Sequence, residues 1–413
     1  MRRLLGSGLV ILILILLDVY IFQILRFVLQ SSSPRVRLIS FVAFWTVSAI
    51  SVSIILFGNF FRIESWPPML RNYIFAILIG IFISKVIAGV FFMVDDVRRV
   101  VQWVGVKAYD QWASAGPLPE RNISRSAFLS WLGIGLGTTM FGTLLYGFSN
   151  KYRYQVNNID LNFDTLPESF KGLRIVHISD IHSGSFTNKE AVEKGVQKIL
   201  DAKPDLILFT GDLVNDAAEE MNEYKEVFAK LTAPLGVYST LGNHDYGDYK
   251  SWPSEADKVA NLNQLKTIHA EMGWKLLMNE HVMLEREGHR IAVIGIENWG
   301  AKGFVQHGRL DLAYAGSEQV PFKILMSHDP SHWDAQVKQY NDIHLTLSGH
   351  THGMQFGVEI PGLRWSPIKY FYKQWAGLYE DGAQKLYVNR GFGFIGYPGR
   401  VGIMPEITVI NLV

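Results

Sequence analysis

Four apolar runs fill most of the first 150 residues, and nothing later in the chain constrains the fold as strongly. Leu4–Leu29, Leu38–Phe61, Asn72–Val94 and Ala127–Phe148 each exceed the roughly 20 residues a helix needs to cross a bilayer core. Arg35, Arg37, Arg62, Trp66, Arg71, Arg98, Arg99 and Trp103 lie around their ends, as expected where helices meet headgroups. The runs predict a four-helix transmembrane region over 1–150, in an integral, multi-pass membrane protein with lipids as neighbours. A core of soluble helices is the alternative, and four such runs in succession argue against it.

Asp18 and Lys85 fall near the middles of the first and third runs. Those two helices run in the same direction, so the pair would meet at similar depth and offset the cost of burying either charge alone. Gly133, Gly137 and Gly142 would let the fourth helix pack closely. Sidedness is not set by charge, because basic residues flanking the spans divide almost evenly between the two sides. The stretch Ser124–Ser130, followed by an apolar span, resembles a twin-arginine export signal lacking its second arginine. That points to an extracytoplasmic position for residues 151–413.

The formal net charge of +1 hides a division. Residues 1–150 carry 13 Lys/Arg and 6 Asp/Glu, whereas 151–413 carry 26 and 32. All twelve histidines fall in the second part, between His177 and His352. Nothing here suggests a nucleic-acid partner. The absence of cysteine excludes thiolate ligation.

From Lys151 onward, short apolar runs alternate with polar helical patterns and turns. Leu173–Ser179, Leu206–Thr210, Val237–Leu241, Ile291–Ile296, Lys323–Met326 and Ile343–Leu347 read as strands of an α/β domain over 151–413. Thr187–Lys203 reads as a helix with Thr187 as N-cap and Glu190 completing a capping box. Five strands stop at residues with metal-binding chemistry: Asp180-Ile181-His182, Gly211-Asp212, Gly242-Asn243-His244-Asp245, Ser327-His328 and Gly349-His350-Thr351-His352. Carboxyl ends of strands in open α/β sheets are where ligands bind. Residues two apart, leaving a strand regularly, point the same way. One such piece could be a surface turn; five in this order make coincidence a poor explanation.

These motifs resemble the calcineurin-like metallophosphoesterase superfamily, and within it the membrane-associated YkuE/YaeI-like bacterial branch. The surrounding LGNHDYG (Leu241–Gly247), SGHTHG (Ser348–Gly353) and the tail Leu386–Pro405 share the resemblance, with Met354 standing where that branch often has glycine. The resemblance implies a four-layer α/β/β/α metallophosphoesterase sandwich holding two divalent ions. Asp180, His182 and His352 would hold one ion, Asn243, His328 and His350 the other, and Asp212 would bridge them. Imidazole and carboxylate donors suit Mn, Fe or Zn. The implied reaction is hydrolysis of a phosphoester or pyrophosphate by a hydroxide the ion pair generates. His244 would protonate the leaving oxygen, with Asp245 orienting its ring.

Four spans in a bacterial cell membrane suggest a lipid or cell-envelope substrate. The alternative is a membrane sensor or transporter with a non-catalytic phosphoesterase-like binding domain. Arg390 and Arg400 are open between clamping a phosphate and serving the framework. Asn215 reads as a helix cap, and His177 and His344 as core histidines. The aromatic stretch Tyr370–Tyr372 with Trp375 reads as packing under a sheet.

Overall fold

A computed structural model describes residues 2–58, 66–112, 125–301 and 303–413. Arg62, Ser124 and the end of the second apolar run (59–61) lie outside the described residues. The chain divides into two compact units, Met1–Tyr146 and Gly147–Val413.

Each apolar run forms a helix: α1 (Arg2–Val28), α2 (Pro34–Leu56), α3 (Pro68–Trp112) and α4 (Ala127–Gly147). All four are long and apolar enough to cross a membrane. Helix α3 runs well past Val94, where its apolar run ends. Its 45 residues at 1.5 Å each give about 67 Å, roughly twice a hydrocarbon core. No proline interrupts it, and Arg98 and Arg99 pair back to Asp95 (2.9 Å) and Asp96 (3.1 Å), one turn earlier. Arg125 also reaches Asp96 at 2.9 Å, and the Ser126 N–H donates to Asp95 at 3.1 Å. The signal-like stretch therefore also caps α4 and ties it to α3. Gly133 and Gly137 fit this contact, because a Cβ would come within 3.0 Å of the Ala88 carbonyl and 2.7 Å of the Ser84 carbonyl. Gly142 faces open space and has no such role.

Lys85 Nζ meets Asp18 Oδ1 at 2.5 Å and Ser48 Oγ at 3.2 Å, joining α1, α2 and α3. Removing one partner of a buried pair leaves an uncompensated charge, typically costing about 3–5 kcal/mol. Lys85→Met is therefore expected to lower the melting temperature of the detergent-solubilised protein, and adding Asp18→Asn to restore most of the loss. Single variants that melt like wild type would make the pair incidental to folding.

The second unit begins with β1 (Gln155–Leu161), β2 (Arg174–Ile178), α5 (Lys189–Asp201), β3 (Leu206–Phe209), α6 (Lys225–Phe228), β4 (Val237–Ser239), α7 (Glu255–Glu271) and β5 (Lys275–Leu276). Then come β6 (Glu280–Arg286), β7 (His289–Gly295), α8 (Leu310–Tyr314), β8 (Lys323–Met326), α9 (Ser331–Ala335) and β9 (Leu345–Ser348). The hairpin β10 (Val358–Ile360) and β11 (Leu363–Trp365) precedes β12 (Gly377–Asp381), β13 (Gln384–Val388) and β14 (Glu406–Leu412). Helix α5 is capped by Asn188, not Thr187: Asn188 Oδ1 accepts the Ala191 N–H at 3.0 Å. Asparagine is the stronger cap, and the Thr187 hydroxyl instead meets Lys151 Nζ at 3.3 Å.

Two six-stranded sheets form, ordered β1-β14-β2-β3-β4-β5 and β12-β13-β9-β8-β7-β6. Strands β2 to β5 are mutually parallel, as are β7, β8, β9 and β13. Alternation along β3 divides its side chains. Leu206 and Leu208 join Ile324, Met326, Leu345 and Leu347 between the sheets, while Ile207 and Phe209 pack outward with Val192, Val196 and Ile199 of α5. Ile294 and Leu325 pack outward on the other sheet, against Leu310, Ala313 and Trp333. Helix, sheet, sheet, helix is the resulting four-layer sandwich. Each fully buried Leu, Ile or Phe contributes about 1.5–3 kcal/mol relative to exposure. Parallel pairing brings the carboxyl ends of β2, β3 and β4 to one edge of their sheet, and those of β8 and β9 to one edge of the other.

Candidate metal centre

The strands stop just before the expected ligands, and the backbone then turns left-handed. Asp180, His182, Asp212, His350 and His352 all have φ between 49° and 69°. Side chains other than glycine, asparagine and aspartate seldom adopt this region, and such strain concentrates at functional sites at roughly 1–3 kcal/mol per residue. The regular strand exit expected from the two-residue spacing is therefore not what aligns these side chains. Interlocked loops do it instead. The Asp180 N–H donates to the Gly211 carbonyl at 2.9 Å, His182 N–H to the Asp212 carbonyl at 3.1 Å, and His350 N–H to both Asp180 oxygens at 3.0 Å.

Glycines permit this crowding. A Cβ on Gly349 would lie 1.9 Å from Ser179 Oγ, and one on Gly242 would lie 2.2 Å from Asp212 Oδ1. Gly211 combines close approach with a φ of 98°.

Two groups of donor atoms result, Asp180 with His182 and His352, and Asp212 with His328 and His350; within each, the atoms lie no more than 4.8 Å apart. His182 Nε2 meets His352 Nε2 at 3.0 Å, and His352 Nε2 lies 3.3 Å from Asp180 Oδ1. Asp212 Oδ2 stands 3.5 Å from His182 Nε2 and 3.1 Å from His328 Nε2, touching both groups. Asn243 Oδ1 faces His350 Nδ1 at 2.8 Å. All seven expected ligands are thus together.

Residues 173–354 match the calcineurin-like phosphoesterase family, and residues 1–151 match "Probable Calcineurin-like phosphoesterase, transmembrane domain". The chain is 31% identical over 252 residues to the uncharacterized metallophosphoesterase YkuE of Bacillus subtilis, covering 60% of this chain and 81% of that one. It belongs to the calcineurin-like metallophosphoesterases. A second relative, the transmembrane protein with metallophosphoesterase domain of Danio rerio, is 30% identical over 268 residues. That match covers 62% of this chain but only 57% of the relative's length. The UDP-2,3-diacylglucosamine pyrophosphatase LpxG of Chlamydia muridarum is 28% identical over 285 residues, covering 55% of this chain and 81% of that one.

The donor chemistry of this metallophosphoesterase site fits divalent ions. Burial lowers His182 to about 3 and His350 to about 4, and drives His352 well below the ordinary imidazole value. Neutral rings carry the lone pairs that metals require. His328 differs: burial pulls it down, but Asp212 and Asp180 more than offset this and raise it to about 10. Burial raises Asp180 to about 6, with Asp212's charge adding and that of His328 opposing. Carboxylates this crowded need positive charge between them, which divalent ions would supply. The His328 Nδ1–H donates to the Thr210 carbonyl at 2.8 Å, which turns Nε2 toward Asp212.

His244 joins neither donor group. Its Nδ1–H donates to the Asn215 carbonyl at 2.8 Å, and its ring lies 5.0 Å from that of His182. Asp245 does not orient that ring, contrary to expectation. Its buried carboxylate accepts the N–H groups of Asp212, Leu213 and Gly242, each at 2.8 Å, and of Val214 at 3.3 Å. It clamps the loops after β3 and β4 together, so its role is to hold Asp212 in place. Asn215, read as a cap, instead fixes His244 through its carbonyl.

Both arginines belong to the framework. Arg390 pairs with Glu406 at 2.6 Å and with Glu359, while the fully buried Arg400 donates to the carbonyls of His352, Arg390, Gly391 and Gly393. His177 is a core histidine meeting Thr210 Oγ1 at 2.9 Å, and His344 stacks on Phe322. Sequence reading missed Tyr372, whose hydroxyl lies 2.9 Å from His350 Nε2 and 3.4 Å from Asp329 Oδ2. The aromatic run around it was visible, but not which ring turned inward.

Proposed function

We propose that this membrane protein hydrolyses a phosphoester or pyrophosphate at a dinuclear centre. Seven ligand-type side chains from five strand ends, with Asp212 between the two groups, carry the reading. Asp180, His182 and His352 would hold one ion and Asn243, His328 and His350 the other, with Asp212 shared. Two divalent ions, of Mn, Fe or Zn character by donor type, would acidify water and neutralise the phosphoryl oxygens.

The chain's own residues do the rest. Asp245 and the interlocked loops keep Asp212 between the two groups, so no reorganisation is needed when the ester arrives. With Nδ1–H held by Asn215, the protonated His244 ring offers its Nε2–H to the leaving oxygen. Water gives up one proton to solvent as its oxygen bonds to phosphorus and the ester P–O bond breaks. A proton passes from His244 Nε2 to the departing alkoxide or phosphate, and His244 is reprotonated from solvent.

The substrate class we favour is a lipid-linked or cell-envelope phosphoester. Four spanning helices support it, and so does likeness to a relative named as a pyrophosphatase of a diacylated sugar nucleotide. We assign the domain to the extracytoplasmic face of a bacterial cell membrane on the strength of the stretch before α4. A purely sensing role is disfavoured by the complete ligand set and the oriented His244.

The test is hydrolysis of an aryl phosphodiester by full-length protein in nanodiscs. Activity should vanish on chelation and return with Mn²⁺ or Zn²⁺ at about two ions per chain. Absence of hydrolysis from fully metal-loaded protein, with this ester and with an aryl monoester, would sink the catalytic reading.

A further inference from the structure

Exposed apolar side chains on the second unit are not scattered. Of its thirteen exposed large hydrophobics among the described residues, six fall between 354 and 371: Met354, Val358, Ile360, Leu363, Tyr370 and Phe371. The hairpin β10–β11 forms a two-stranded sheet of its own, with five of its six residues exposed. Two strands alone are marginal in water, so an apolar hairpin of this kind gains by lying against something else. Met354 adds a separate sign. It holds φ at 55°, a conformation suited to glycine, and exposes half its surface. A strained backbone here holds an apolar side chain half in solvent, a position that burial within this unit does not explain.

The patch is also basic. Arg364, Lys369 and Lys373 are exposed within it, and its acid, Glu359, is paired with Arg390. Aromatic and aliphatic tips mixed with Arg and Lys are the composition of surfaces that settle into anionic headgroups. The patch adjoins the metal centre as well. Met354 follows His352 by two residues, Ser366 Oγ donates to the Gly353 carbonyl at 2.8 Å, and Tyr372, next to Phe371, touches His350.

We propose that the β10–β11 hairpin and the Tyr370–Phe371 turn dock on an anionic lipid surface and hold the metal centre at the headgroup level. A bilayer is always within reach of a chain with four spanning helices, and the basic residues complement its charge. Docking rests on this surface alone. Its consequence, that the ester is taken from the membrane rather than from solution, rests on the proposed phosphoesterase reading.

The chain's lack of cysteine makes the test direct. Ile360→Cys, Phe371→Cys and, as a control on α8, Leu312→Cys are each labelled with an environment-sensitive fluorophore in full-length protein. The protein is placed in nanodiscs of phosphatidylglycerol and phosphatidylcholine, and quenching by a lipid-borne nitroxide is compared with quenching by aqueous iodide. Labels at 360 and 371 are expected to be quenched at least ~3-fold more by the lipid probe than the label at 312, with the difference shrinking in pure phosphatidylcholine. Equal aqueous exposure at all three positions overturns the proposal. Shielding of 360 and 371 from both quenchers also overturns it, in favour of a protein partner or a second copy. Metal content and hydrolysis of the soluble aryl phosphodiester are measured on the same samples. Lipid contact without any hydrolysis would leave the docking standing and remove only the phosphoesterase reading.

Discussion

Asp212→Asn is expected to strip the site of metal and activity together. The substitution keeps the shape of the side chain but replaces one oxygen with an amide nitrogen and removes the negative charge. Asp212 Oδ2 lies within 3.5 Å of both His182 and His328, and Oδ1 accepts the His244 N–H at 2.8 Å. A neutral amide cannot offset the repulsion between two dications, and its NH₂ cannot donate an electron pair to them. Metal affinity should fall at least ~10²-fold, since even partners that only orient ligands are worth 10–100-fold. Turnover should fall by ~10³-fold or more. Elemental analysis of protein loaded at limiting Mn²⁺ or Zn²⁺, alongside kcat/KM, checks this. Far-UV circular dichroism should be unchanged, because a clash-free isostere at a loop position leaves both sheets intact. Full metal stoichiometry in the variant would show that Asp212 is not shared between two ions.

That Asp212 could be singled out from sequence has a physical reason, and so do the misreadings around it. A strand of Leu206–Phe209 type is short, apolar and followed by glycine, so its end is marked in the chain itself. Each of the five ligand motifs follows a short strand, and glycine marks the end after β3, β4 and β9. The apolar runs of α1 to α4 were equally legible, because lipid demands length and composition together. What was hidden is carried by backbone geometry and by partners distant in sequence. Asp180 and His182 look like residues continuing a strand, yet their backbones are left-handed and their N–H groups bond to a loop 30 or more residues away. Asp245 beside His244 suggests a carboxylate–imidazole pair, but adjacent side chains leave a turn in different directions, and this one found four backbone amides. Arg390 and Arg400 had the right chemistry for phosphate. Only the fold shows that Glu406, Glu359 and a ring of carbonyls had already claimed them.

His244→Ala separates ligand from acid, and the two roles lead to opposite metal contents. The imidazole is half-buried, with Nδ1–H fixed on the Asn215 carbonyl at 2.8 Å, and the ring lies 4.5 Å from that of Tyr249. It stands outside both donor groups, so its removal should leave two ions bound. The expected cost is ~10²–10⁴-fold in kcat, the range for losing a general acid. The loss should also depend on the leaving group. An ester of a strongly acidic phenol needs little protonation and should be hydrolysed at close to the wild-type rate, whereas an alkyl ester should be nearly inert. Comparing kcat for 4-nitrophenyl and alkyl phosphodiesters in His244→Ala and wild type, with metal content measured on the same samples, gives the answer. Equal losses on both substrates with both ions retained would turn His244 from a proton donor into a charge stabiliser. Loss of an ion would make it a ligand and add a third imidazole to the Asp180 group.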